Sequence, residues 1–205
     1  MSFRIRSQKD LEIKLQGLRK PDSFNNTLEQ YPTDPALAAH VAVTAYLDGN
    51  ISGKSIADLG CGFGVLACAA AMLGASHVVA IEIDPLQASK AVQNCREYPV
   101  TVINSDVYEM KEKVDTTLMN PPFGSVTPHS DQIFLSRAVE FSKHVYSIHN
   151  EKSSDFVREF LSAHGKIKRE EKVSILVPRI YSHHTREYMK IPAVFFSTDL
   201  TSSHP

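Results

Sequence analysis

Ser55-Ile56-Ala57-Asp58-Leu59-Gly60-Cys61-Gly62-Phe63-Gly64-Val65 runs from an apolar strand pattern through three alternating glycines into a small, apolar stretch at 65–73. Glycine at 60, 62 and 64 permits positive φ and close backbone approach where a strand turns into a helix. Downstream the pattern alternates. A second strand, rich in Val and Ile, is expected at 77–83. Pro85 opens a helix over 86–97, with a third strand at 100–104 and a fourth at 115–119. A helix over 131–141 puts Ile133, Phe134, Ala138 and Phe141 on one side. A fifth strand at 145–148 and a helix at 156–163 follow. Two final strands, 173–177 and 194–197, are joined by a polar connection. Strands separated by helices require parallel pairing through right-handed crossovers. The reading is a doubly wound, Rossmann-like α/β fold on a mostly parallel sheet.

Upstream of the first strand the chain is helical. Ser7-x-x-Asp10 resembles a capping box, and Leu11, Leu15 and Leu18 share the next helical face, with Pro21 as the stop. Asp34-Pro35 reads as an N-cap followed by proline at the first helical position, opening a helix to about Leu47. No internal repeat or low-complexity tract interrupts the 205 residues, a length suited to one core.

Composition narrows the class. With 42% hydrophobic and 22% charged residues the chain is globular. The apolar stretch 65–73 is too short to span a bilayer, and Arg4, Arg6 and Lys9 interrupt any N-terminal signal core. Cys61, Cys68 and Cys95 show no metal-ligand spacing and cannot all pair, so a reduced cytoplasmic setting without metal is expected. His183-His184 lacks a carboxylate or cysteine at metal spacing and reads as a solvated loop. The net charge of −1 conceals an asymmetry: residues 1–20 carry +4 and residues 164–190 another +4, leaving −9 on the remainder. Two basic flanks on an acidic body suit a polyanionic partner.

The chemistry lies in Asn120-Pro121-Pro122-Phe123, at the end of the apolar run Thr117-Leu118-Met119. Two prolines cannot donate to a ladder and end the strand abruptly. The Asn120 side chain and the proline carbonyls remain as acceptors beside the ring of Phe123. Acceptors next to a stacking ring suit a planar group bearing an NH2, such as the exocyclic amine of a nucleobase. The alternative is a turn with Phe123 plugging the core. In doubly wound sheets ligands bind beyond the carboxyl ends of the strands at the topological switch point. If strands one and four are neighbours, the glycine loop and Asn120 share one crevice. The glycines alone fit dinucleotide- and S-adenosylmethionine-binding folds equally. Glu82, at the end of the second strand, can accept from two ribose hydroxyls. Asp106 can accept from an adenine amino group, and Asp84 reads as a helix cap.

Asp58-Leu59-Gly60-Cys61-Gly62 together with Asn120-Pro121-Pro122-Phe123 resembles the class I amino-methyltransferases. Gln30-Tyr31-Pro32-Thr33, Met72-Leu73-Gly74-Ala75 and Tyr146-Ser147-Ile148-His149 are similar to the methyltransferase-like protein 5 family and its archaeal relatives. The resemblance covers about residues 28–149. It implies a seven-stranded sheet and S-adenosyl-L-methionine as cofactor. It also implies methyl transfer to N6 of an adenosine in small-subunit ribosomal RNA. Gln30, Thr33, Asp58, Gly60, Gly62, Phe63, Gly64, Val65, Glu82 and Asp106 would hold the cofactor, and Asn120, Pro121, Pro122 and Phe123 would carry catalysis. A small zinc-binding activator subunit, as in eukaryotic relatives, is a further implied partner. On this reading 1–205 is one methyltransferase domain. It comprises a helical extension (1–50), a cofactor-binding and catalytic core (51–150) and a C-terminal helix with closing strands (151–205). Other planar nitrogens remain open as substrates: DNA adenine, guanine N2 or a protein glutamine. So does a non-catalytic S-adenosylmethionine-binding role in ribosome assembly.

Overall fold

Alternating strand and helix patterns meet in one seven-stranded sheet of order β3-β2-β1-β4-β5-β7-β6. The computed structural model describes residues 5–21, 32–123, 130–178 and 188–201. The helices are α1 (Gln8–Gln16), α2 (Pro35–Leu47), α3 (Val65–Met72), α4 (Pro85–Cys95), α5 (Ser130–Phe141) and α6 (Ser154–His164). The strands are β1 (Ser55–Leu59), β2 (His77–Glu82), β3 (Val100–Asn104), β4 (Thr116–Met119), β5 (His144–Asn150), β6 (Lys166–Pro178) and β7 (Tyr188–Asp199). Strands β1 to β5 pair in parallel, whereas β7 runs antiparallel to β5 and β6 antiparallel to β7. The sheet is therefore mixed, because the last two strands form a hairpin that needs no crossover. Both are far longer than the apolar segments at 173–177 and 194–197. The charged residues from Lys166 to Lys172 occupy an edge strand, where solvated side chains obscure the apolar alternation that marks a strand.

Local chemistry explains the helix ends. Ser7 accepts from the Asp10 amide at 3.1 Å, and α1 buries Leu11 and Leu15. That helix stops at Gly17, four residues before Pro21, where the Gly17 and Leu18 amides turn back onto Lys14 and Leu15. Asp34 caps α2 through the Ala36 amide at 2.9 Å. Asp84 caps α4 through the Leu86 amide at 2.8 Å. Nearly all of α2 and α3 is apolar or small and buried, since both lie under other elements.

Two cores sandwich the sheet. One holds α1 to α4 against one face; the other holds α5 and α6 against the opposite face. Tyr146, singled out in the Tyr146-Ser147-Ile148-His149 segment, is a packing residue. It stacks on Phe195, its hydroxyl donates to Asp48 at 2.8 Å, and it accepts from Asn50 at 2.8 Å. His149 is buried at the end of β5 edge-on to Phe196, and burial pulls its imidazole down to about 3, so the ring is neutral. No helix among the described residues is long and apolar enough to cross a membrane.

The helices change sides between β1 and β4, and this switch point positions the site. Strands β1 and β4 are neighbours, with Asp58 opposite Leu118 and Leu59 opposite Met119. Gly60 and Asn120 therefore leave adjoining strands at the same end. Gly64 is closely packed at that end: at φ +89, a Cβ there would lie 3.1 Å from Cys95 Sγ and 3.3 Å from Ala91. Gly64→Ala should cost about 1–3 kcal/mol from the left-handed backbone and the crowding of α4, read as a lowered urea midpoint with unchanged slope.

Candidate active site

The glycine loop is tied to its neighbour strand by backbone and carboxylate alike. The Gly60 and Cys61 amides both donate to the Ile81 carbonyl, at 2.9 and 3.0 Å. One turn on, the Gly62 amide donates to Glu82 Oε2 at 2.8 Å, while Glu82 Oε1 accepts from the Asp84 amide at 2.9 Å. The expected ribose acceptor is thus also the clamp of the glycine loop. Each oxygen keeps a second lone pair directed away from these amides. Glu82 is 6% exposed, and burial raises its carboxyl above the ordinary range against the pull of those amides.

Asp58 decides what the loop can hold. Its Oδ2 accepts from the Ala67 amide at 2.8 Å, in the first turn of α3. A helix N-terminus after a glycine loop is where a dinucleotide fold places its pyrophosphate. Here a side-chain carboxylate already occupies it. Asp58 Oδ1 is buried without a hydrogen-bond partner among the described residues. Burial pushes the carboxyl up to about 7, with the Ala67 amide opposing and nearby Glu82 adding to the rise. A cationic ligand beside these two buried carboxyls would favour their ionised form, whereas a phosphate would oppose it.

The rim of this crevice comes from β2 and β3. Asn104 donates from Nδ2 to the Glu82 and Ile83 carbonyls at 2.8 and 3.0 Å, fixing the strand tip. Ile83, next to Glu82, is 52% exposed, an apolar surface beside the carboxylate. Asp106 is exposed and caps the short turn Val107–Glu109 through the Tyr108 amide at 2.9 Å. Phe63 and Val65 are buried. The Phe63 carbonyl accepts from Asn94, whose side chain also exchanges two bonds with the Arg19 backbone, at 2.9 and 3.0 Å. Asn94 thus joins the N-terminal segment to the glycine loop.

Across the crevice stands Asn120. Its Nδ2 donates to the Thr33 hydroxyl at 3.0 Å, and its Oδ1 is buried with no partner among the described residues. Pro121 is buried and Pro122 half-buried. Phe123 is half-buried and packs on the core of the α1–α4 face, so the plug considered from sequence accounts for part of the ring. Gln30 and Tyr31 lie outside the described residues, as do Arg4 and His183-His184. Cys68 and Cys95 are buried free thiols with sulfurs 2.8 Å apart behind Gly64, and Cys61 is a buried thiol raised by burial.

Four contributors escaped the sequence reading: Asn94, Asn104, Ile83 and Phe134. A Cβ on Gly60 would meet the Phe134 ring at 3.0 Å, so α5 closes the loop from the other face. These contacts join residues 31 to 75 positions apart, beyond any local pattern, except for Ile83 and Asn104 beside Glu82 and Asp106 at strand ends. Of the two basic flanks, Lys168 pairs with Asp199, Lys172 with Glu151, and Lys14 with Asp10.

The methyltransferase small domain family matches residues 38–146, which include every element of this crevice except Thr33. The chain belongs to that family. Relatives named rRNA N(6)-adenosine-methyltransferase align over most of the chain. A Danio rerio protein named rRNA N(6)-adenosine-methyltransferase METTL5 is 32% identical, covering 91% of this chain and 96% of its own. Its Drosophila melanogaster counterpart of the same name is 36% identical over 72% of this chain and 75% of its own. A solved structure from Pyrococcus horikoshii, provisionally named an RNA methyltransferase, superposes with a TM-score of 0.88 at 33% identity, covering 96% of this chain and 99% of its own. A methyltransferase needs a donor and an acceptor held face to face, and β1 and β4 bring two loops together at one end of the sheet here.

The raised carboxyls make stability depend on pH in a defined direction. Asp58 ionises near 3.8 when unfolded and near 7 when folded, so between those values the native state holds a proton that the unfolded chain releases. Its contribution therefore falls as pH rises from about 4 to 7, and Glu82 acts in the same direction. Asp58→Asn keeps an acceptor for the Ala67 amide but cannot titrate. Urea midpoints at pH 5 and pH 8 should differ less in this variant than in the wild type.

Proposed function

We propose that this methyltransferase moves a methyl from S-adenosyl-L-methionine to N6 of an adenosine in structured RNA, with small-subunit ribosomal RNA as the substrate. The observation that carries the acceptor side is Asn120, whose buried Oδ1 lacks a partner at the tip of β4. The relatives' names supply the class of amine.

S-adenosylmethionine brings a methyl on a sulfonium together with an ammonium and a ribose, all without phosphate. The residues present fit that set. Asp58 Oδ1 offers a buried, unpaired acceptor for a cationic donor, and Glu82 has lone pairs for two ribose hydroxyls. Ile83 gives an apolar surface for a purine ring, with Asp106 at its edge. Gly60, Gly62 and Gly64 bring backbone close to the ligand, with Phe63 and Val65 following them into α3. Gln30 and Thr33 are kept as cofactor residues from the family resemblance alone.

Methyl transfer to an aryl amine is slow because the nitrogen lone pair is delocalised into the ring. Asn120 Oδ1 and the Pro121 carbonyl each accept one N–H of the amine, turning the lone pair out of conjugation and toward the methyl. Pro121 and Pro122 stiffen the loop that carries these acceptors. Phe123 stacks on the base. Positioning of this sort supplies roughly 7–11 kcal/mol in favourable cases. The amine proton becomes acidic only as the N–C bond forms, so no side-chain base is required before transfer.

The basic flanks serve the RNA. Arg6, Arg19 and Lys20 at one end, and Lys166, Arg169 and Lys190 at the other, make no ion pair among the described residues and are available to phosphate. A cytoplasmic setting and a small zinc-binding activator subunit belong to this same reading.

Two substitutions separate donor from acceptor. Glu82→Gln should weaken S-adenosylmethionine by about 1.5–3 kcal/mol, the worth of a charged hydrogen bond, in calorimetry. Asn120→Ala should abolish transfer to RNA, assayed by mass spectrometry of nucleosides, while cofactor affinity stays within about twofold, since its bonds are to the target amine. Near wild-type turnover in Asn120→Ala would sink the amine-orienting mechanism.

A further inference from the structure

We propose that Cys68 and Cys95 form a modification site: a dithiol that a peroxide closes to a disulfide, stapling α3 to α4 behind the glycine loop.

The two cysteines are 27 positions apart in the chain, yet their sulfurs lie 2.8 Å from one another. From that separation a disulfide of about 2.05 Å is reached by a shift of about 0.8 Å. Both residues are free thiols. One S–H donates to the other sulfur, and that bond together with burial pushes the Cys68 thiol up, so the pair rests as a neutral dithiol. Cys61 is engaged elsewhere, its sulfur facing the Gly62 carbonyl at 3.5 Å. Packing for volume alone asks for two small side chains between these helices. It gives no reason for both to aim their sulfurs at one point.

The place of the pair in the fold gives the bond a consequence. Cys68 follows Ala67, whose amide holds Asp58, and the Cys68 amide itself donates to the Gly64 carbonyl at 2.9 Å. Cys95 follows Asn94, which holds the Phe63 carbonyl and the Arg19 backbone. A disulfide therefore joins the two helices at residues adjacent to both of these anchors of the loop. The loop need not move, because the sulfurs already meet behind Gly64.

Cys68 is 0% exposed and Cys95 2%, which shuts out bulky reagents in the closed fold. Cys95 is the last residue of α4, however, and exposed Arg96 and Glu97 follow it. Helix ends open locally at a small fraction of the global unfolding free energy, and the opened turn admits a small oxidant. The thiolate sulfur of one cysteine attacks a peroxide oxygen, the O–O bond breaks, and a sulfenic acid and one water result. The neighbouring thiol then displaces the sulfenic hydroxyl as a second water while the S–S bond forms. Two thiols and one hydrogen peroxide thus become one disulfide and two waters, each sulfur losing one electron and each peroxide oxygen gaining one. A reducing compartment keeps the pair open; a pulse of peroxide closes it.

The test starts from wild-type protein that is reduced, freed of reductant, treated with hydrogen peroxide, quenched with catalase and alkylated in denaturant. The intact protein should be lighter by two hydrogens before alkylation and should take up one alkyl group in place of three. Trypsin should release residues 55–90 joined to residues 91–96. The same link should form in Cys61→Ala and be absent from Cys68→Ala and Cys95→Ala. Oxidised wild type should melt roughly 5–10 °C above the reduced protein, the effect of closing a loop of this length, and dithiothreitol should remove the difference. Three alkylated cysteines, or sulfinic acid without a cross-link, would overturn the proposal. So would a link that persists in Cys68→Ala, which would make Cys61 the partner. An oxidised form that melts below the reduced one would also overturn it, because the bond would then strain the fold. The thiol count and the melting comparison are read on wild-type protein, so a variant that fails to fold leaves them decisive.

Discussion

The carboxylate of Asp58 against the first turn of α3 is the interaction on which the rest of the site depends. It fills the anion position of a glycine loop from within the protein, through one bond to the Ala67 amide. In its ionised form that carboxyl opposes a pyrophosphate on the loop. Its remaining oxygen, buried and unpaired, calls for a positive ligand. Glu82 extends the same logic to the neighbouring strand. Its two oxygens hold the Gly62 and Asp84 amides, so one side chain fixes both the loop and the start of α4. The pocket is therefore polarised before any ligand arrives, at the cost of keeping two carboxyls out of water.

The acceptor side is built on a different device. Asn120 ends β4 with its Oδ1 buried and without a partner among the described residues. Rigidity there comes from elsewhere: Thr33 at the head of α2, and α2 itself wedged beneath β5 and β7. Donor and acceptor halves thus share a sheet but draw their precision from separate helices, α3 and α4 on one side of the crevice and α2 on the other. Asn94 on α4 ties the N-terminal segment to the donor half, and Phe134 of α5 closes that half from the other face of the sheet.

Among the described residues, the strands of the C-terminal hairpin lie beyond β5, on the side of the sheet away from the glycine loop. Its outer strand carries alternating charges, several neutralised by partners on α6, α2 and the turn before α6: Arg158 with Glu170, His40 with Glu171, and Lys172 with Glu151. Those pairs anchor an exposed edge and discourage another strand from pairing with it. Of the three, only the Lys172–Glu151 pair takes a cation from the basic flank, while Glu170 and Glu171 are acids of that flank met by partners outside it.

By itself the sequence determined the helix caps, the order of strands and helices, the glycine turn and the acceptor-rich end of β4. Each is a local property: Asp34-Pro35 and Asp84-Pro85 specify helix starts within three residues, and proline pairs end a strand wherever they fall. The two carboxylates and Asn120 were legible for the same reason, because strand ends can be counted. Tertiary structure alone decided that β1 and β4 are adjacent, which is what turns two separate loops into one crevice. It alone showed that the α3 N-terminus is already occupied by Asp58 and that Glu82 clamps the loop it was expected only to border. It also extended the final hairpin to 13- and 12-residue strands, since pairing energy along a solvated edge is invisible to hydrophobic periodicity. The bond from Asn120 to Thr33 belongs with these. A hydrogen bond across 87 positions depends on where α2 docks, and no spacing within the chain encodes that.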